Sequence, residues 1–105
     1  MSVTVSVAHE GTVAIAVAGE LDVLSAPELA SALRDALIQY HPHRIEVDLA
    51  GVGFMDSTGI QVLMAASNDV TATGGGLVVV RASPEVRRVL GLTGLLDVLG
   101  LANTA

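Results

Sequence analysis

One short segment carries a side chain that could accept a chemical group from a partner protein. Residues 47–60 read VDLAGVGFMDSTGI, and the pattern places Ser57 at the start of a helix. Backbone N–H groups at a helix N-terminus have no intrahelical acceptor, and the helix dipole there favours added negative charge. Ser57 could therefore carry a phosphoryl group without unfolding its own helix.

The same residues also allow a purely structural interpretation. Asp56 or Ser57 could simply cap the helix, because Asp and Ser are both favoured N-cap residues. Gly59 argues for a further role, since glycine inside a helix is about 0.8 to 1.0 kcal/mol less favourable than alanine. We expect Gly59 to leave the backbone beside Ser57 open to a partner, and both interpretations stand on the residues alone.

Enzyme motifs fit this segment poorly. A nucleophile elbow needs glycine two residues before its serine, where Met55 stands. The run Gly51-Val52-Gly53 begins a dinucleotide-binding pattern, but Asp56 occupies the third glycine position. The chain also has no lysine and so no P-loop lysine, and we expect no cofactor.

The histidines offer little more. His41 and His43 flank a proline, and without a nearby cluster of carboxylates this arrangement is more typical of an exposed turn than of a metal site. We expect no metal and no enzymatic activity. An imidazole of His9 or His43 within about 3.2 Å of the Ser57 hydroxyl would change that expectation.

Alternating apolar residues predict the strands that position this segment. Residues 3–7 and 13–17 alternate Val or Ile with small residues around a turn at 9–11, which predicts a hairpin. Residues 45–49 predict a third strand. The continuous apolar run 77–80 is typical of a central strand buried on both faces.

Three helices are predicted between and after these strands. Ser25-Ala26-Pro27-Glu28 has the form of a capping box, which begins a helix ending near Tyr40. A second helix follows Asp56 or Ser57 and ends at the glycines 74–76. A third helix runs from Ser83-Pro84-Glu85 to Gly91.

The order β-β-α-β-α-β-α-β predicts the fold class. We expect a single α/β domain over residues 1–105, with a mixed, mostly parallel sheet of four to five strands flanked by helices. Residues 92–101 are ambiguous and predict a helical turn followed by a short edge strand. Residues 102–105 are expected to form a frayed tail.

Composition restricts the partners. The 105 residues carry a net charge of -6 and include no cysteine, which argues against a nucleic-acid partner and excludes disulfides and cysteine zinc sites. No apolar run approaches the roughly 18 residues of a membrane span, and the N-terminus lacks the basic start of a signal peptide. We expect a cytoplasmic protein without membrane insertion.

Three segments together resemble a known family. GELDVLSAPEL at 19–29, DLAGVGFMDSTGI at 48–60 and VVVRASPEVRRVLGLTGLLDVL at 78–99 resemble the STAS domain of the bacterial anti-sigma factor antagonists. The resemblance implies a regulatory switch. The unphosphorylated protein would bind an anti-sigma factor that is a serine kinase and release the sigma factor, thereby regulating transcription. A PP2C-type phosphatase would reverse phosphorylation by the kinase.

The resemblance also implies site residues. Ser57 would be the phosphoacceptor, with Thr58 as a second and weaker candidate. The surface that meets the kinase would comprise Asp22, Asp56, Thr58, Gly59 and Ile60. Without the resemblance, Asp22 could equally be a loop residue that hydrogen-bonds its own backbone.

The chain departs from the family pattern at one place, and the resemblance leaves one alternative function open. Family members often continue into a further C-terminal helix, which we expect to be short or missing here. A STAS subunit that docks on a membrane transport complex would need no phosphorylation and is the alternative function.

Overall fold

The computed structural model describes residues 1–101, and the predicted tail at 102–105 lies outside the described residues. The described chain forms four strands and three helices. The strands are β1 (Ser2–His9), β2 (Thr12–Leu21), β3 (Arg44–Met55) and β4 (Gly76–Ala82), and the helices are α1 (Ala26–Tyr40), α2 (Ser57–Ala72) and α3 (Pro84–Leu92).

The strands form one mixed sheet in the order β1-β2-β3-β4. The pair β1 and β2 is antiparallel, whereas β2, β3 and β4 run parallel to one another. Helices α1 and α2 connect the parallel strands. The predicted single α/β domain with a mostly parallel sheet is therefore confirmed. In residues 1–101, no helix is both long enough and apolar enough to cross a membrane.

The core lies between the sheet and its helices. The alternation predicted for the second and third strands is correct, because every inward-facing residue in the middle of both strands is at most 3% exposed. These residues are Val13, Ile15, Val17, Ile45, Val47 and Leu49. Helix α1 adds Leu29 and Leu33 to this core, and α2 adds Leu63 and Val70.

Strand β1 is less covered than its neighbour. Its register pairs Val5 with Ile15 and Val7 with Val13, so these valines lie on the same face as the core residues of β2. Even so, Val5 is 38% exposed and Val7 is 56% exposed. The helices thus cover the outermost strand only in part.

Strand β4 lies at the opposite edge of the sheet, so the prediction of a central strand is wrong. The apolar residues of this strand are instead buried by the segment that follows α3. The Val79 N–H donates to the Leu99 carbonyl at 2.8 Å. A Cβ atom on Gly100 would come within 2.9 Å of Val78 Cγ1. This segment, rather than a further strand, covers β4.

The predicted final strand within residues 92–101 is absent from the described chain. The segment after α3 forms consecutive turns instead. Leu99 and Leu101 are completely buried. Their burial explains why the segment is apolar without being part of the sheet, which has the lower of the two expected strand numbers.

The three helices begin differently. Ser83 caps α3 as predicted, because its hydroxyl accepts from the Val86 N–H at 3.2 Å. The predicted capping box of α1 is wrong, because Ser25 occupies the N-cap position without making a side-chain cap. The Ser25 hydroxyl instead donates to the Glu20 carbonyl at 2.7 Å and accepts from the Asp22 N–H at 3.0 Å. Because the hydroxyl of Ser25 is bonded to the loop before α1, it does not cap the first N–H groups of the helix.

Gly59 allows α2 to lie close to the sheet. A Cβ atom on this buried residue would be only 2.8 Å from Leu21 Cγ and 2.8 Å from Met55 Cγ. The expectation that Gly59 leaves the backbone open to a partner is therefore wrong. Close packing accounts for a glycine in the first turn of the helix.

Replacing Gly59 should test this contact. Overpacking a core typically costs about 1 to 3 kcal/mol, which exceeds the roughly 0.8 to 1.0 kcal/mol that alanine gains in helix propensity. We expect Gly59→Ala to lower the free energy of unfolding by up to about 2 kcal/mol in urea denaturation.

Gly91→Ala is the matched control. Gly91 also lies in a helix, but a Cβ there would meet only Leu96 Cδ1, at an ordinary 3.6 Å. We expect this variant to be as stable as the wild type or more so. Equal stabilisation by both substitutions would contradict the packing explanation for Gly59.

Candidate functional site

The candidate site lies where β2 and β3 end together. Leu21 pairs with Met55 at the last position of both parallel strands. The Asp56 N–H then donates to the Leu21 carbonyl at 3.2 Å. The loop that begins at Asp22 is consequently held beside the start of α2, where Ser57 lies.

Asp56 is the N-cap of α2, one of the two residues that the sequence allowed in this role. Its backbone is extended, and its carboxylate accepts from the Thr58 N–H at 2.9 Å. Ser57 is then the first helical residue and not the cap. Its side chain is exposed, and its hydroxyl makes no hydrogen bond to any of residues 1–101. The hydroxyl is thus accessible to a partner.

Asp22 organises the neighbouring loop. Its Oδ1 atom accepts from the Leu24 N–H at 3.0 Å and from the Ser25 N–H at 3.1 Å. The backbone bond from Ser25 is the main reason that the pKa of Asp22 lies below its ordinary value of 3.8, with partial desolvation acting against it. The carboxylate is therefore ionised at neutral pH and fixes the shape of its own loop, as the structural alternative for Asp22 expected.

The loop presents apolar side chains to solvent. Val23 is 65% exposed and Leu24 is 88% exposed, and Phe54 at the end of β3 is 46% exposed. We call Val23, Leu24 and Phe54 the apolar rim of the site. Sequence reasoning missed these residues. The signal was two consecutive large apolar residues in a turn, a place where polar residues and glycine usually predominate.

The remaining predicted residues are less accessible than Ser57. Thr58 is half-buried and lines a cleft of about 230 Å³ between α1 and α2. Ile60 is also half-buried and packs against the core. The structure therefore brings Asp22, Asp56, Ser57 and Thr58 to the end of the sheet where β2 and β3 finish, with Gly59 and Ile60 packed mainly beneath them.

The two segments that form the site contain acidic but no basic residues. Two carboxylates belong to the site, those of Asp22 and Asp56. Neither the loop segment 20–25 nor the segment 54–60 contains a basic residue. A phosphoryl group on Ser57 would find no cation within these two segments.

The imidazoles lie at the other end of the sheet. His9 pairs with Thr12 at the beginning of β2, and His43 directly precedes β3. Strand β3 is 12 residues long, at about 3.3 Å per residue, and Ser57 follows its far end. No imidazole of residues 1–101 hydrogen-bonds to Ser57. The described chain also has no cluster of three groups that could hold a metal ion.

Comparison with known proteins agrees with this fold. The sequence model of the STAS domain matches residues 4–105. The anti-sigma-B factor antagonist of Bacillus subtilis (strain 168) is 34% identical over 96 residues, which cover 90% of this chain and 84% of that protein.

Two solved structures are also similar. The anti-sigma factor antagonist from Mycobacterium paratuberculosis superimposes with a TM-score of 0.81 at 33% identity, covering 98% of this chain and 87% of that chain. The anti-sigma factor antagonist SpoIIAA in its unphosphorylated form superimposes with a TM-score of 0.79 at 26% identity, covering 90% of this chain and 82% of that chain. Since the domain match extends over residues 4–105 and the sheet and helices agree, the chain belongs to the STAS domain family.

Proposed function

We propose that the protein is an anti-sigma factor antagonist whose binding is switched by phosphorylation of Ser57. The observation that carries the proposal is the exposed Ser57 hydroxyl, unbonded within the described chain, at the first position of a helix already capped by Asp56. Relatives named as anti-sigma factor antagonists support it. So does SpoIIAA, whose structure is described as an unphosphorylated form.

The unmodified protein binds an anti-sigma factor and thereby frees a sigma factor. The anti-sigma factor is also a serine kinase in this proposal. The Ser57 oxygen forms a bond to the γ-phosphorus of ATP, the bond between the β-phosphate oxygen and that phosphorus breaks, and ADP leaves. The kinase supplies the base that takes the hydroxyl proton. A PP2C-type phosphatase restores the hydroxyl by hydrolysis.

Charge explains why the modified protein dissociates. The phosphoryl group adds about 1.5 to 2 negative charges beside the carboxylates of Asp22 and Asp56. An unpaired charge buried at an interface costs about 2 to 5 kcal/mol. This corresponds to a loss of affinity between about 30-fold and several thousandfold, which is sufficient for a switch.

The apolar rim supplies the affinity of the unmodified state. Leu24 is the most exposed of its three residues, and Asp22 holds the loop in one conformation through backbone hydrogen bonds. A preorganised loop loses little conformational entropy when it binds. Leu24 therefore acts as an anchor for an apolar pocket on the anti-sigma factor.

The protein acts in the cytoplasm as a binding partner and kinase substrate, and not as an enzyme. Its proposed partner regulates a sigma factor, which functions there with RNA polymerase. The acidic chain itself contacts neither nucleic acid nor the membrane interior in this proposal.

Phosphorylation of Ser57 can be measured directly. Incubation with the anti-sigma factor of the same bacterium and Mg-ATP should raise the intact mass by about 80 Da, the mass of one phosphate. Fragmentation should locate the increase at Ser57. Ser57→Ala should abolish it and Thr58→Val should retain it, whereas modification of Thr58 alone would overturn the assignment.

A fixed negative charge at Ser57 should weaken binding. We expect Ser57→Asp to raise the Kd for the anti-sigma factor at least about 30-fold in calorimetry, because the added carboxylate is desolvated at the interface. Ser31→Asp is the control, since it adds the same charge at an exposed position of α1. If Ser57→Asp bound as tightly as the wild type, the switch would be refuted and docking on a transport complex favoured.

The anchor role of Leu24 predicts a separate effect. Leu24→Ala should weaken binding at least about tenfold, because truncating a central interface anchor costs about 2 kcal/mol or more and about 1.4 kcal/mol already corresponds to tenfold. Its thermal stability should not change, since the side chain is 88% exposed. Leu92→Ala is the control, with a leucine that is 76% exposed in α3. Equal effects of both substitutions on binding would refute a specific role for Leu24.

A further inference from the structure

The two edge strands of the sheet, β1 and β4, differ in whether their outer backbone groups have hydrogen-bond partners. At the β4 edge, the Leu99 carbonyl accepts from the Val79 N–H, so part of the outer backbone is paired. At the β1 edge, no strand of residues 1–101 lies beside the eight residues Ser2–His9. An uncovered edge strand offers its outward N–H and C=O groups to another strand.

From Ser2 to Val7, strand β1 lacks the usual devices that prevent such pairing. Natural proteins protect edge strands with charged side chains, proline or β-bulges. The range Ser2–His9 contains no Asp, Glu, Lys, Arg or proline. Its pairing with β2 is regular up to Val7, and the one irregularity lies between Val7 and His9. Residues 2–7 therefore present a regular edge without charged side chains.

The chemistry of this edge favours a second copy of the chain. Two copies with a net charge of -6 each repel one another, and a contact through residues without charge adds no further like-charge pair. Strand β1 offers such a contact, whereas β2, β3 and β4 contain Glu20, Asp48 and Arg81 respectively. An uncharged strand also offers no charge complementarity to an acidic or basic partner.

The side-chain pattern is complementary to itself. In an antiparallel pair centred on Val5, Val5 faces its own copy and Val3 faces Val7. Every valine then lies on the same face of the joined sheet, because opposite residues in an antiparallel pair share a face. The exposed surfaces of Val5 and Val7, at 38% and 56%, would be covered by the partner's valines.

We propose that β1 pairs antiparallel with β1 of a second copy about a two-fold axis at Val5, which joins the two sheets into one of eight strands. The helices of both copies lie on the same side of this sheet. Ser57 follows β3, two strands away from the contact, so both sites stay accessible. The pairing is independent of phosphorylation.

A cross-link tests the register. The chain has no cysteine, so a single introduced thiol reports only on contact between copies. In Val5→Cys the two opposed Cα atoms would be about 4.5 to 5.5 Å apart, within the range of about 4.4 to 6.8 Å seen in disulfides. We expect mild oxidation to cross-link this variant at least about tenfold faster than Ser31→Cys, because pairing raises the effective thiol concentration.

Sedimentation provides the second measurement. The wild type and the control Ser31→Lys should form dimers of the 10.7 kDa chain as concentration rises, whereas Val5→Lys should stay monomeric with an unchanged circular dichroism spectrum. Ser57→Asp should dimerise like the wild type, which separates this proposal from the phosphorylation switch.

The outcomes against the proposal are equally definite. A wild type that stays monomeric at all accessible concentrations would overturn it. So would a dimer that survives in folded Val5→Lys, or equal cross-linking of Val5→Cys and Ser31→Cys. If Val5→Lys failed to fold, the relative rate of cross-linking would decide.

Discussion

The joint end of β2 and β3 is the constraint on which the site depends. Leu21 and Met55 pair there, and the Asp56 N–H ties the start of α2 to the Leu21 carbonyl. Gly59 lets the helix pack against both residues so closely that an added Cβ would lie 2.8 Å from a side-chain carbon of each. One backbone hydrogen bond and one missing Cβ thus set the position of Ser57 relative to the Asp22 loop.

The N-cap of α2 is formed by Asp56 and not by Ser57, so the Ser57 hydroxyl is not used in capping. Asp56 satisfies the Thr58 N–H, so the helix start does not depend on the Ser57 hydroxyl. In the preceding loop, Asp22 and Ser25 satisfy one another and the local backbone, so that loop holds its shape without the helix. Hydrogen bonds therefore hold the backbone around Ser57, while the Ser57 hydroxyl itself forms none within residues 1–101.

Local patterns predicted most of the fold but not the contacts between distant segments. Alternation along β2 and β3 identified buried strands, because residue period alone decides which face a side chain occupies. The Ser25 hydroxyl was misassigned because its acceptor, the Glu20 carbonyl, is set by the loop's three-dimensional path. The run 77–80 suggested a central strand, since sequence does not show that residues 99–100 return to cover β4. The apolar rim was missed because exposure, unlike hydropathy, depends on the assembled loop.

The lack of basic residues in segments 20–25 and 54–60 bears on how long a phosphoryl group stays on Ser57, as well as on binding affinity. A phosphoryl group held by an arginine of its own chain would be sheltered and slow to remove. Neither segment 20–25 nor segment 54–60 supplies such an arginine, so in the proposed switch the residues of these two segments do not shelter the phosphate from hydrolysis. In the proposed switch, the lifetime of the modified state then depends on how fast the kinase adds the phosphoryl group and the phosphatase removes it, and not on a basic residue in either segment.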